Sequence, residues 1–213
     1  MAKNVKIKIC GLTDIDNICR LLFLEPDYMG FIFYPKSPRY VEGKLNPDML
    51  SVIPPTVKRS GVFVNATEVE IRNAVKRYGL NAIQLHGNEK PRHCAQLRDM
   101  GVEVIKAFHI EDEHDFEDAA AYTEVVDYYL FDTKTPDYGG SGRGFDWQLI
   151  LRQPLRTPWI LSGGIGPDNI IEAAQSGASI IDLNSRFESS PGIKDYDRLR
   201  EAIDRVRALN QTK

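Results

Sequence analysis

Eight short apolar runs, each followed by a stretch of helical periodicity, succeed one another along the chain at a repeat of roughly 25 residues. The runs are Val5–Cys10, Tyr28–Tyr34, Arg59–Val64, Ala82–His86, Val102–Phe108, Tyr128–Asp132, Pro158–Ser162 and Ser179–Asn184. The helical patterns cover Asp14–Leu24, Asn46–Val52, Thr67–Tyr78, Lys90–Met100, Glu111–Tyr122, Asp146–Leu151, Pro167–Gln175 and Tyr196–Leu209. Strand runs alternating with helices predict βα units and a parallel sheet. Eight such units without a linker predict an α/β chain folded as one closed (β/α)8 TIM barrel, a single domain over residues 1–213. An open Rossmann or flavodoxin-like sheet would use about five or six strands and usually a glycine-rich first turn. The turn "ICGLTD" is no such motif.

Side chains on a barrel strand alternate between the interior and the helix layer. In the first strand Ile7 and Ile9 are expected to face the helices, leaving Lys6, Lys8 and Cys10 inward. The same parity is expected to put Gln84, His86, Lys106, Asp132, Asp182 and Asn184 inside. Polar residues therefore gather toward the carboxyl ends of the strands, where barrels of this kind carry their chemistry.

Composition narrows the partners. The chain has 213 residues with a net charge of −3, its acids and bases interspersed, so it offers no basic face for nucleic acid. A small metabolite is expected instead, bound by a monomer or homodimer. No apolar run approaches the ~18 residues of a membrane span, and "MAKNVKIK" reaches the first strand without an apolar leader. A cytoplasmic chain is expected. Cys10, Cys19 and Cys94 are widely spaced and odd in number, which indicates neither a disulfide framework nor a zinc site.

Cys10 and Asp132, ending the first and sixth strands, are the best-placed reactive groups. Asp132 opens the long loop "LFDTKTPDYGGSGRGFDW", whose glycines, Gly140 among them, let backbone approach a ligand closely. Loops after strands seven and eight of such barrels commonly bind phosphate through backbone N–H groups. Here they read "LSGGIGPDN" and "DLNSRFESSPGIKD", offering Gly163, Gly164, the Ser185 hydroxyl and the Arg186 guanidinium. A phosphorylated small molecule is the leading ligand class. Arg39 in "YPKSPRYV" is a candidate grip for an anion, and His86 a candidate substrate contact. The acidic run "EDEHDFED" reads as a solvated helix start, and His109 and His114 beside it are given no role.

Together these stretches resemble the phosphoribosylanthranilate isomerase family of tryptophan biosynthesis. The resemblance is carried by "KICGLT", "GFIFYPKSPRYV", "GVFVN", "QLHG", "LFDTKTPDYGGSGRGFDW", "LSGGIGPDN" and "PGIKD", spread from Lys8 to Asp195. It implies an Amadori rearrangement that needs no cofactor and no metal. An aspartic acid matched by Asp132 protonates the furanose oxygen, and a cysteine matched by Cys10 removes the C2′ proton of the iminium ion that results. Arg39 matches an arginine that contacts the anthranilate part. A thiol base calls for a pKa drawn toward neutral, for which Lys8 and Lys106 are expected to supply positive potential, unless paired with Asp182. The chain departs from the family after the eighth strand. Where many members read "DVSSGVE" it has "DLNSRFE", with Asn184 for a serine and Arg186 for a glycine, while Asp182 and Ser185 are retained. Two other enzymes stay in view. The histidine-pathway ProFAR isomerase ends strand one in aspartate, and an aldolase-type barrel would use Lys106 for a Schiff base.

Overall fold

The computed structural model describes residues 5–110, 113–133 and 147–211. Eight parallel strands close into a barrel in chain order: β1 (Lys6–Ile9), β2 (Tyr28–Ile32), β3 (Lys58–Phe63), β4 (Ala82–Leu85), β5 (Glu103–Ile110), β6 (Tyr128–Thr133), β7 (Trp159–Ser162) and β8 (Ile180–Leu183). The ring is sealed where β1 pairs with β8, Ile7 opposite Ile181 and Ile9 opposite Leu183. The helices are α1 (Ile15–Leu21), α2 (Glu68–Tyr78), α3 (Pro91–Arg98), α4 (Gln148–Leu151), α5 (Ile170–Gln175) and α6 (Tyr196–Gln211).

Local chemistry sets the ends of these elements. Asp14 caps α1 by accepting from Asn17 N–H at 2.7 Å. Thr67 and Glu70 form a capping box on α2, which stops at Gly79 in the left-handed region at φ 58°. At the amino mouth, three acceptors take strand N–H groups from alternate strands. Asp27 accepts from Ile7, Asn81 from Arg59 and Asp127 from Val104, each at 2.8 Å.

Two of the expected helices are 3-10 segments instead, Pro47–Val52 and Glu113–Tyr122. The first is squeezed between Pro47 and the Pro54-Pro55 pair, too short a stretch for stable α turns.

Strand parity divides the core in two. Ile7, Ile9, Met29, Phe31, Ile83, Leu85, Val104, Phe108, Leu161 and Ile181 pack outward against Ile18, Leu21, Ile71, Leu97, Ile170 and Leu199 of the helices. Inside, Tyr28, Ala82, Ile105, Ala107, Leu130, Ile160 and Ile180 plug the barrel. The interior expectation fails at Lys106. Ile105 and Ala107 belong to the inner cluster and Val104 and Phe108 to the outer, so Lys106 lies on the helix side of β5. Its ammonium stays buried there because it is fully used, donating to Glu89 Oε2 at 3.1 Å and to the carbonyls of Leu85, Gly87 and Ala107. It therefore supplies no charge to the barrel interior and is no candidate for a Schiff base there. Lys6, with inward parity, lies exposed at the amino mouth.

Candidate active site

Cys10 follows directly on β1 and is locked in place by its N–H, which donates to Leu183 O at 2.9 Å. The sulfur is buried, 3% exposed, and occupies a space that only glycine leaves open. A Cβ on Gly30 would stand 2.6 Å from Cys10 Sγ. Gly11 turns the chain away at φ 81°, where a Cβ would meet Arg39 Cδ and Asn184 Oδ1 at 2.7 Å each. Glycine is thus required on both sides of the thiol.

Three polar groups surround Cys10. Beneath it Lys8, fully buried, donates to Asp182 Oδ2 at 2.8 Å and to Gln84 Oε1. Burial opposes the Lys8 charge, but the Asp182 carboxylate and the Cys10 sulfur outweigh it, so the ammonium is held above its ordinary pKa. To one side Arg39 grips Glu188, Nε to Oε1 at 2.8 Å and Nη2 to Oε2 at 2.5 Å. On the far side of that carboxylate Lys194 donates to Glu188 Oε1 at 2.7 Å and to Asn184 Oδ1 at 2.8 Å. Burial pushes the Glu188 carboxyl up, yet the bonds from Arg39 and Lys194 leave it below the usual range. Burial pushes the Lys194 ammonium down.

The thiol differs from the sequence expectation of a pKa drawn toward neutral. Burial pushes it up, Lys8 and Lys194 pull it down, Asp182 pushes it up again, and the balance lies above the ordinary thiol value. Of the two lysines expected to act on it, Lys8 does so while paired with Asp182, and Lys194 takes the part assigned to Lys106.

Asp132 lies on β6 opposite Ser162 of β7 and His109 of β5, three strands around the ring from β1. His86, at the end of β4, sets Nε2 3.1 Å from Asp132 Oδ2 and Nδ1 2.8 Å from Gln84 Nε2. His109, expected to carry no role, places Nδ1 3.8 Å from the same carboxylate oxygen. It reaches this point because β5 runs two residues beyond the expected end at Phe108. Among the described residues, His86, His109 and Asp132 are the one group of three side chains spaced to hold a metal ion.

Next to this mouth Gly163 and Gly164 take φ 86° and 64° at the end of β7. Their loop is braced by Asn169, which accepts from Gly166 N–H at 2.7 Å and donates to Gly164 O at 3.2 Å. The Arg186 side chain lies across this loop, its Nε 3.1 Å from where a Gly166 Cβ would stand. Ser185 and Arg186 are exposed and open the 3-10 turn Ser185–Phe187 after β8. The expected site residues thus form a Cys10, Arg39, Asp182, Asn184 group, an Asp132, His86 group, and the Gly163, Gly164, Ser185, Arg186 rim. Gly140 lies outside the described residues.

Glu188, Lys194 and the roles of Gln84 and His109 were not anticipated. Glu188 and Lys194 face each other across the antiparallel pair β9 (Glu188–Ser190) and β10 (Ile193–Lys194). The signal was present in "ESSPGIK", polar residues about a Pro-Gly turn, which reads as a hairpin.

Known proteins share this fold and much of this sequence. Residues 7–205 match the family described as N-(5'phosphoribosyl)anthranilate (PRA) isomerase. The N-(5'-phosphoribosyl)anthranilate isomerase of Parabacteroides distasonis is 42% identical over 207 residues, covering 94% of this chain and 92% of that protein. The crystal structure of phosphoribosyl anthranilate isomerase from Thermotoga maritima superposes with a TM-score of 0.87 at 39% identity, covering 96% of this chain and all of the other. A structure of the isomerase in complex with reduced 1-(o-carboxyphenylamino)-1-deoxyribulose 5-phosphate superposes with a TM-score of 0.85 at 35% identity, over 96% of this chain and all of that one. The chain belongs to the N-(5'-phosphoribosyl)anthranilate isomerase family.

Proposed function

We propose that this chain isomerises N-(5'-phosphoribosyl)anthranilate to 1-(o-carboxyphenylamino)-1-deoxyribulose 5-phosphate, a step of tryptophan biosynthesis, with Asp132 as general acid and Cys10 as general base. One observation carries the assignment of roles. The two groups end strands three apart in a closed ring, both with inward parity and both at the carboxyl mouth, so a sugar between them presents opposite sides to each.

The reaction needs two assisted proton transfers, at the ring oxygen and at C2′, followed by a tautomerisation, with no net exchange of atoms. Asp132 gives a proton to the ring oxygen, the C1′–O bond breaks, and the nitrogen lone pair forms a C1′ iminium ion. That cation acidifies the neighbouring C2′ hydrogen, and Cys10 takes it. The electron pair released makes an enolamine, which takes up a proton at C1′, loses the proton of its C2′ hydroxyl and becomes the ketone. A thiol held above its ordinary pKa suits this order, because the iminium charge arrives only after ring opening and draws the thiol down at that moment. Lys8 and Lys194 favour the thiolate formed.

The phosphate is assigned to the backbone of Gly163 and Gly164 with Ser185 and Arg186, and the anthranilate carboxylate to Arg39, whose Nη1 is not used by Glu188. Against the ProFAR reading stands Cys10 where that enzyme carries aspartate. Among the described residues no helix is long and apolar enough to cross a membrane.

Complementation of a tryptophan auxotroph lacking this isomerase tests the activity, and growth is expected. Soluble, folded chain without growth would overturn it. Cys10→Ala and Asp132→Asn are each expected to lower kcat by at least ~10²-fold with melting unchanged. Near-normal turnover in either variant removes that residue's role.

A further inference from the structure

A chain of hydrogen bonds crosses the barrel interior from the thiol side to the carboxyl side. Lys8 Nζ donates to Asp182 Oδ2 and to Gln84 Oε1, Gln84 Nε2 lies 2.8 Å from His86 Nδ1, and His86 Nε2 lies 3.1 Å from Asp132 Oδ2. An ammonium group only donates. Gln84 must therefore turn its oxygen toward Lys8 and its NH2 toward His86. Nδ1 then accepts, and the imidazole hydrogen sits on Nε2, pointed at Asp132. Each assignment follows from the one before it, starting at the buried lysine.

We propose that Gln84 is a positioning residue that fixes the tautomer of His86, so that the imidazole presents an N–H to Asp132 and no bare nitrogen. The catalytic meaning of this rests on Asp132 being the general acid. With Oδ2 held by His86, the carboxyl group is fixed about its last torsion, and Oδ1 is left to carry the proton to the ring oxygen.

The same device answers a hazard at this site. His86, His109 and Asp132 bring two ring nitrogens and a carboxylate oxygen within 4.8 Å of one another. Two of the separations, 3.1 Å and 3.8 Å, bracket the ~3.4 Å spacing of tetrahedral ligands at zinc-like bond lengths. A metal ion there would take the acid out of use. A histidine that ligates through Nε2 needs a partner that accepts its Nδ1–H. Gln84 offers only donor hydrogens at that point, and turning its amide over would set N–H against the Lys8 ammonium. The barrel thus presents a metal-like donor set with one imidazole held in the non-ligating tautomer.

Two measurements test this, neither of which reads turnover. In wild-type protein labelled with 15N-histidine, a long-range proton–nitrogen spectrum, with His86 assigned by its loss in His86→Asn, is expected to show hydrogen on Nε2 and a bare Nδ1. Hydrogen on Nδ1, or a mixture of the two tautomers, overturns the proposal. In Gln84→Glu a carboxylate faces both Lys8 and Nδ1–H, which reverses the tautomer. Titration with Co²⁺, followed by visible absorption, is expected to show at least ~10-fold tighter binding than wild type, with the gain lost in Gln84→Glu/His109→Ala. Equal affinities in wild type and Gln84→Glu overturn it. Should Gln84→Glu fail to fold, the wild-type spectrum decides alone. Failure of Asp132→Asn to slow turnover would defeat the acid assignment without moving either readout.

Discussion

Replacing Gly30 with alanine tests how tightly the barrel seats the thiol. The added methyl would lie 2.6 Å from Cys10 Sγ, 3.0 Å from Cys10 Cα and 3.1 Å from Cys10 Cβ. Nonbonded heavy atoms settle at about 3.5–4.0 Å, so the sulfur contact falls short by roughly 1 Å. Rotating the Cys10 side chain relieves the sulfur but not the Cα, so β1 and β2 must also part slightly. Overpacking of this kind costs about 1–3 kcal/mol. At 2–4 °C per kcal/mol for a chain of this size, the melting temperature should fall by about 2–12 °C. A base displaced by ~1 Å can lose ~10²-fold in rate, so kcat should fall well beyond what the lost stability explains. Calorimetric melting and steady-state kinetics read the two effects. The double variant Gly30→Ala/Cys10→Ala removes the sulfur and should recover part of the stability, a coupling of about 0.5–3 kcal/mol. A Gly30→Ala protein that melts like wild type and turns over at full rate would refute this seating, as would strictly additive losses in the double variant.

Glu188→Gln leaves Lys194 and Arg39 without their shared carboxylate in a buried place, the Glu188 side chain being 4% exposed, and should cost about 3–5 kcal/mol at neutral pH. Because the folded Glu188 pKa is depressed, its stabilisation is full above the unfolded value of ~4.3 and lost as pH falls through the folded value. The gap between wild type and variant in urea midpoint should therefore narrow in acid, and a constant gap from neutrality to strong acid would contradict the depressed pKa. Cys10, buried and with its thiol pushed up, should alkylate with iodoacetamide more slowly than the partly exposed Cys19 at mildly alkaline pH. Mass spectrometry showing Cys10 labelled first would rule that out. Arg186→Ala should raise KM and weaken inhibition by inorganic phosphate with kcat retained, and an unchanged KM removes Arg186 from the phosphate rim.

Strand count, closure and the places of Cys10 and Asp132 at their strand ends were legible because they depend on local signals, period-two runs and turn residues. Inward parity held for Lys8, Gln84 and Asp182, each between apolar neighbours that face the helices, and for His86, Asp132 and Asn184, each following one such neighbour. It failed for Lys106 because "VIKAF" is apolar on both sides, so the alternation contains no direction and the lone polar residue was assigned inward by default. Only the Glu89 carboxylate, 17 positions back in the chain, shows which side holds a partner. The Arg39–Glu188–Lys194 group was hidden for a related reason. Arg39 and Glu188 are 149 residues apart, and pairing over that distance leaves no periodic trace. His109 escaped notice because the acidic run after it looked like the start of a helix, whereas β5 continues to Ile110.

The charges around Cys10 bear on the order of events. Lys8, Arg39 and Lys194 face Asp182 and Glu188, and each acid is bonded to at least one of the bases. A permanently ionised thiol would have to be held against its own burial, the largest influence on it. A neutral thiol sits in this site at little electrostatic cost and remains a poor base until a new positive charge arrives. The reaction supplies that charge itself, as an iminium ion one bond from the hydrogen to be removed. Under the roles proposed above, ring opening by Asp132 switches on Cys10, and deprotonation follows it. Under this order a substrate analogue with the ring already closed to opening, such as one with carbon in place of the furanose oxygen, should bind without exchanging its C2′ hydrogen for solvent deuterium. Exchange at C2′ in that analogue would show that the thiol acts without the iminium charge and would break the coupling between the two strand ends.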